Sequence, residues 1–275
     1  MDSKLSEDII NQIKNFGRYL TQKQELLIDK LIPNEELKNR YKKYGLCKEC
    51  NQPNNGRQDF IKSVWCQSCN SKHFQQDFNK WTSGNQAIDE FIQKCQLEAI
   101  NPEKILEWIP YDKFINIEYL ATGGFGTVFK AKWIDGQILN WNVKDNKWER
   151  KNTFPNGMVA LKSLNNSQDI NVDFLHEITR HKLFGSDAYV YDGIVRCHGI
   201  SQDPKTQNSI MVMGYVPGCN LRQYLNQNRL TFKSKLNQLL YIAMGLKNIH
   251  DKGLIHKDFH SGNILKTVLI IGLRI

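Results

Sequence analysis

The chain has 275 residues, 40% of them hydrophobic, 24% charged and 11% aromatic, a composition that excludes a disordered or collagen-like polymer. Its formal charge of +9 is uneven: residues 1–113 carry 17 Lys and Arg against 16 Asp and Glu, and residues 114–275 carry 20 against 12. The near-neutral first part lacks the clustered positive charge that nucleic acid binding needs, and no run approaches the about 18 apolar residues of a membrane span.

MDSKLSEDII has no signal-peptide core, and seven cysteines, an odd number, argue for thiols or metal rather than disulfides. A soluble protein of the cytoplasm or nucleus is expected. Residues 5–32 predict one or two amphipathic helices, with Leu5, Ile9, Ile13, Phe16 and Leu20 at three- and four-residue spacing before Leu26, Leu27 and Leu31. Pro33 stops that pattern, so residues 1–40 form a helical segment.

Two C-x-x-C knuckles follow, Cys47 with Cys50 and Cys66 with Cys69, with fifteen residues between them. This is the spacing of a four-cysteine zinc site, and four buried thiols without metal are the alternative. With all four positions cysteine the coordination sphere is closed, so the metal's role is structural. His73, just beyond, is expected to pack rather than ligate. Residues 41–80 are the expected zinc-ribbon-like module. Residues 81–113 are expected to be a helical connector, with one helix capped by Asn85 and a second opened by Asn101 and Pro102.

A strand from Phe114 to Leu120 runs into a turn holding Gly123, Gly124 and Gly126, followed by a second strand to Trp133. Glycines let backbone N–H groups approach an anion without a Cβ in the way. A polar, tryptophan-bearing insertion from Asp135 to Asn156 is expected to be an exposed hairpin. Val159-Ala160-Leu161-Lys162 is a further strand, and Glu177 lies on a helix opened by Asp169 or Asn171. Strands holding Val195 and Met213 come next, then a short helix capped by Asn220. A longer helix from Phe232 to His250 is expected to bury Leu236, Leu239, Leu240, Ala243, Leu246 and Ile249.

The loop His256-Lys257-Asp258-Phe259-His260-Ser261-Gly262-Asn263 supplies a carboxylate and an amide five positions apart. It resembles the catalytic loop of protein kinases, and the glycine turn, the Lys162 strand and Glu177 stand in that family's order. The resemblance implies an α+β fold: a small lobe of antiparallel sheet plus one helix, with only the first part of the helical large lobe, over residues 114–275. By resemblance, Gly123, Gly124, Gly126, Val128, Ala160, Lys162, Met213 and Tyr215 would hold ATP, with Gly214 to Val216 as the hinge. Glu177 would hold Lys162, Asp258 would accept the proton of a protein substrate's hydroxyl, and Asn263 would hold magnesium.

HKDFHSGNIL looks closest to tyrosine-kinase-like kinases, which mostly modify Ser and Thr, and the four-cysteine module resembles a large fungal family of kinase-like proteins. Five departures stand out, one being His260, where serine/threonine kinases commonly carry a phosphate-contacting lysine. Ala121 replaces the first glycine, Gly214 replaces a common hinge glutamate, and Lys257 replaces the catalytic-loop arginine. The twelve residues after Asn263 contain no Asp or Glu, so a D-F-G aspartate is absent, and Ile270 to Leu273 looks like its remnant. A kinase truncated after the catalytic loop, inactive as this chain, is the expectation; an inactive ATP-binding or scaffolding protein with a zinc interaction module is the alternative.

Overall fold

The computed structural model describes residues 4–17, 19–58, 63–123, 126–153, 156–164, 167, 172–183, 195–266 and 271–273. The chain divides into two compact units, one of residues 1–80, 93–102 and 138–149 and the other of residues 81–92, 103–137 and 150–275.

In the first unit, helices α1 (Glu7–Ile13), α2 (Gln22–Leu31) and α3 (Glu35–Tyr44) each start at a capping side chain. Ser6 accepts from the Ile9 N–H, Thr21 and Gln24 form a reciprocal capping box, and Asn34 accepts from the Leu37 N–H. Their inner faces bury Ile10, Ile13, Ile28, Ile32, Leu37 and Tyr41 as one core. The hydroxyl of Tyr41, shut in among these side chains, donates to the Ile13 carbonyl at 2.9 Å. Strands β1 (Gly56–Gln58) and β2 (Ser63–Trp65) form a short antiparallel pair before α4 (Gln67–Asp77). Helix α5 (Gln86–Leu97) begins where the Asn85 side chain accepts from the Ala87 and Ile88 N–H groups.

The expected second connector helix is absent. Pro102–Lys104 makes a single 3-10 turn, and Glu107–Trp108 forms strand β3 instead. The cluster Ile105, Leu106 and Ile109 is buried either way, so its apolar pattern did not discriminate. Tertiary pairing decides: β3 lies parallel to a later strand at Gly199, where a Cβ would stand 2.1 Å from the Glu107 carbonyl oxygen. Only glycine permits that approach.

The other strands and helices are β4 (Phe114–Gly123), β5 (Gly126–Trp133), β6 (Gln137–Asn142), β7 (Lys147–Lys151), β8 (Met158–Leu164), α6 (Val172–Leu183), β9 (Cys197–Gln202) and β10 (Ser209–Gly214). A six-stranded sheet has the order β3-β9-β10-β8-β5-β4, antiparallel except for β3. Phe114, Ala131, Trp133, Val159, Leu161, Ile210 and Val212 pack as its core. After β11 (Cys219–Asn220) come α7 (Leu221–Gln227), α8 (Phe232–His250), β12 (Ile264–Lys266) and β13 (Ile271–Leu273). Leu221, Ile242, Ile249 and Ile264 form a second core there. The fold is thus the expected α+β arrangement of a kinase-like small lobe with helices.

Two expectations about exposure fail. Helix α8 buries Ile242, Gly245 and Ile249, whereas Leu236, Leu239, Leu240 and Ala243 are exposed. The stripe is apolar, but among the described residues nothing covers that side. Conversely, the β6–β7 hairpin is not a bare surface loop. Trp148 stacks on Phe74 with ring centroids 4.2 Å apart and on Trp65 at 6.2 Å, and Trp141 stacks on His73 at 4.1 Å. Two indoles carry too much apolar area to be left in water when an aromatic face is available.

Candidate active site

Lys162 lies in the middle of β8, between two strands, paired in register with Val128 on β5 and Met211 on β10. Both neighbours being antiparallel and regular fixes which face of the sheet the lysine occupies. On that face its ammonium donates to Glu177 of α6 at 2.6 Å, with both side chains about one quarter exposed. Two residues earlier, Ala160 is opposite Lys130 and Met213, and both Ala160 and Met213 are buried.

The glycine turn closes between Gly123 and Gly126, the last register pair of β4 and β5. Gly124 lies outside the described residues. At Gly126 a Cβ would stand 2.1 Å from the Ser163 carbonyl oxygen, so the turn lies against β8 one residue beyond Lys162. At Gly123 nothing stands within 4 Å of where a Cβ would be, so the backbone there is open to an anion such as a polyphosphate. Where β10 leaves the sheet, the Gly214 N–H donates to the Arg196 carbonyl at 2.9 Å, followed by half-buried Tyr215. A Cβ at Gly214 would have His198 Nε2 3.8 Å away. His198 is buried, and its pKa is held well below the usual imidazole value by loss of hydration and by the Arg196 charge.

The loop from His256 to Asn263 is braced from both sides. His256 is buried, with its ring edge-on to Phe259 at 5.5 Å. Lys257 has φ +60°, and the Asp258 N–H donates across it to the His256 carbonyl at 2.7 Å. A three-residue turn with positive φ on a non-glycine residue is a strained arrangement, of the kind kept where the surroundings force it. It sets the exposed Asp258 carboxylate on the loop's outer side. The Asn263 amide nitrogen donates to Asp258 Oδ2 at 2.7 Å and to the Asp258 carbonyl at 3.0 Å. With Nδ2 so engaged, Oδ1 is the end of Asn263 left for a hard cation such as magnesium.

Sequence reading missed two further contacts here. His260 Nδ1 accepts from the Gly262 N–H at 2.9 Å, which leaves Nε2 as the protonated nitrogen of the neutral ring, 3.5 Å from Asp258 Oδ2. A Cβ on Gly262 would stand 2.6 Å from His260 Cε1, so that glycine makes room for the imidazole. Arg222 of α7 donates from Nε to Ser261 Oγ at 3.3 Å and from its backbone N–H to the Ser261 carbonyl at 3.2 Å. Neither contact belongs to a local motif, although the spacing of His260 and Gly262 around Asp258 could have suggested the first. After Asn263, β12 pairs with β13 so that Gly272 lies opposite Leu265. Ile270, part of the suspected D-F-G remnant, lies outside the described residues, as do Asp169 and Asn171.

In the first unit, the sulfurs of Cys47, Cys50, Cys66 and Cys69 all lie within 4.8 Å of one another. Cys47 and Cys69 are 3.8 Å apart, and Cys50 and Cys66 are 3.6 Å apart. Tetrahedral zinc with bonds of about 2.3 Å requires sulfurs about 3.8 Å apart, so the donor set and its spacing fit that ion. The first knuckle turns at Asn51, φ +54°, whose N–H donates to the Cys47 carbonyl, while the Cys47 N–H donates to the Gln52 carbonyl. His73 is outside the cluster, packed under Trp141 and hydrogen-bonded to Glu49 at 3.0 Å.

Comparison with known proteins finds related sequences. The sequence profile of the family described as protein tyrosine and serine/threonine kinase matches residues 114–270, more than half of the chain. The interferon-induced, double-stranded RNA-activated protein kinase of Rattus norvegicus is 32% identical over 160 residues, 55% of this chain and 28% of that protein. Calmodulin-binding receptor-like cytoplasmic kinase 1 of Arabidopsis thaliana is 28% identical over 160 residues, 56% and 29% of the two chains. Wee1-like protein kinase 2 of Ailuropoda melanoleuca is 26% identical over 220 residues, 77% and 33% of the two. The chain spans about a third or less of the length of these relatives.

Proposed function

The chain belongs to the protein tyrosine and serine/threonine kinase family, and from that premise we propose that residues 114–275 bind Mg-ATP and direct its γ-phosphoryl group to a Ser or Thr hydroxyl of a protein. The observation that carries the reading is the loop on which Asn263 clasps Asp258 at 2.7 Å. A scaffold has no use for a carboxylate and an amide so placed. Phosphoryl transfer needs both, one to take the acceptor's proton and one to hold the metal.

In this reading Lys162, held by Glu177, positions the phosphates, and Gly123 and Gly126 cover them with backbone N–H groups. Met213 and the Gly214–Val216 backbone receive the base. Asp258 accepts the hydroxyl proton as the oxygen attacks phosphorus, and the bond to the leaving phosphate oxygen breaks. Magnesium, when bound, neutralises the phosphate charge, and Asn263 is its ligand on this loop. The relatives are protein kinases by name, and HKDFHSGNIL favours Ser and Thr over Tyr.

The four cysteines hold one structural zinc in a module of residues 41–80, after a helical segment of residues 1–40 and before a connector of residues 81–113. The pairing of that module with this loop is why we assign the chain to the tyrosine-kinase-like group and its fungal members. Among the described residues no helix is long and apolar enough to cross a membrane, and we place the protein in the cytoplasm or nucleus. A second reading has its own observation: no Asp or Glu follows Asp258. With one metal-holding side chain of the usual two, these 275 residues alone would bind ATP and transfer little, as a scaffold would.

The test is nucleotide titration of the purified chain with and without magnesium, followed by a transfer assay on a longer form carrying a D-F-G segment. Saturable Mg-ATP binding with transfer in the longer form supports the kinase. Binding without transfer in either form supports the scaffold, and no binding ends both.

A further inference from the structure

The positive charge of this protein is concentrated at its catalytic end. Residues 214–275 contain nine Lys and Arg against two carboxylates, Asp251 and Asp258, a net +7 out of the chain's +9. The glycine turn and Lys162, where the phosphates would lie, belong to the stretch 114–213, which has eleven Lys and Arg against ten Asp and Glu, a net +1. The basic excess therefore lies in the stretch that carries Asp258 rather than in the one that carries the glycine turn and Lys162.

Of the two carboxylates in the basic stretch, Asp251 is tied to Lys247 by an ion pair, and Asp258 is the proposed proton acceptor. Neither is free to receive a cationic side chain from a substrate. Arg222 is exposed and is held by two hydrogen bonds to Ser261, three residues after Asp258 and two before Asn263. Its Nε is used in that contact, and the two terminal nitrogens remain as donors on an exposed side chain. Among the described residues no carboxylate lies within ion-pair distance of it. Lys257, directly before Asp258, is also exposed. A guanidinium held through Nε alone still offers a planar pair of donors suited to a carboxylate.

We infer that the surface around Asp258, with Arg222 and Lys257 as its fixed charges, selects a protein segment whose hydroxyl acceptor is flanked by Asp or Glu. This rests on the kinase reading and names its substrate class. Positive charge of this kind raises the local concentration of an acidic segment and repels a basic one, an effect that salt should weaken.

The experiment uses the 275-residue chain and three fluorescent peptides sharing one Ser acceptor, flanked by Glu, by Ala or by Lys. Binding is read by anisotropy at low and physiological ionic strength, with Mg-ATP affinity measured on the same sample. The Glu peptide should bind about tenfold or more tighter than the Ala peptide, lose most of that margin with salt, and leave the Lys peptide without detectable binding. Arg222→Gln should cut Glu-peptide affinity several-fold and leave nucleotide affinity unchanged. Lys257→Asn, whose side chain tolerates positive φ, is a second variant with the same expected direction. Equal binding of all three peptides while Mg-ATP still binds overturns this inference alone, whereas absent Mg-ATP binding overturns the kinase reading beneath it. A single-stranded oligonucleotide of equal charge that binds as tightly and ignores both substitutions would show a general polyanion surface, and would also overturn it.

Discussion

Lys162 and Glu177 face each other at 2.6 Å, one from the middle strand of the sheet and one from helix α6. The pair ties the sheet to helix α6 at the lysine that the proposed reading places on the phosphates. Partial exposure limits its worth to stability, about 1 kcal/mol or less, and its value is positional. Lys162→Met should abolish phosphoryl transfer in a form with the D-F-G segment, with a smaller effect on adenine affinity because the hinge contacts are backbone. Glu177→Gln should reduce transfer less, with thermal stability within about 0.5 kcal/mol of the parent. Transfer unaffected by either change would remove the pair from the mechanism.

Asp258 and His260 should fail differently. In a form with the D-F-G segment, Asp258→Asn keeps size and polarity but removes the basic carboxylate, and should lower transfer about 100-fold or more while ATP still binds. His260 touches Asp258 only through Nε2 and acts as a positioning residue. His260→Gln, which can still donate a hydrogen bond, should retain most of kcat, whereas His260→Ala should lower kcat with KM for ATP unchanged. An Ala variant that changed only KM would contradict the positioning role.

Metal analysis checks the cysteine cluster. Protein purified without chelator should hold about one zinc per chain. Cys66→Ser should release it, as should acidification, because thiolate ligands must be deprotonated. The module's other support is aromatic, so Trp148→Ala should destabilise the first unit by about 3 kcal/mol even with zinc bound. Zinc-free protein with native fluorescence from Trp65 and Trp148 would defeat the assignment.

The outward face of α8 should behave as an open apolar surface. Phe232, Leu236, Leu239 and Leu240 are all exposed, and contiguous patches of that sort bind hydrophobic dyes and associate. Dye fluorescence should rise with the chain at micromolar concentration and fall in a Leu239→Lys, Leu240→Glu double variant of unchanged stability. A monodisperse parent with no dye signal would refute this.

His198 predicts an acid weakness. Burial and Arg196 hold its folded pKa well below the ordinary value of about 6.5 that it regains on unfolding. Below about pH 6.5 the unfolded chain therefore binds a proton that the folded chain refuses, and stability falls as pH drops. His198→Leu should flatten the stability profile between about pH 6.5 and 5. Denaturant midpoints across that range measure it, and parallel profiles for parent and variant would exclude His198 as the cause.

Much of the site was legible because each piece has a local signature. The cysteine spacing, the glycine turn and the Asp258-to-Asn263 interval are all short-range; in the structure the four cysteines cluster, Gly123 pairs with Gly126 and Asn263 reaches Asp258. Contacts that depend on distant partners were not legible. Nothing near Trp148 states that it will stack on Phe74, more than seventy residues away. The run from Ile105 to Ile109 has an apolar pattern compatible with helix or strand, and only Gly199 on another strand breaks the tie. The leucines of α8 illustrate the reverse: periodicity marks a face as apolar, while burial requires something to lie on it.

The register between β5 and β8 runs from Gly126 opposite Leu164 to Lys132 opposite Met158 without a slip, although 24 residues separate the two strands in sequence. Closing a loop that long rather than a four-residue turn costs only about 1.6 kcal/mol of chain entropy, little beside seven paired residues. The facing of Lys162 is consequently indifferent to what is threaded between these strands. The same two strand ends could be joined by a tight turn, or made to carry a different insert altogether, and the lysine would still point at Glu177.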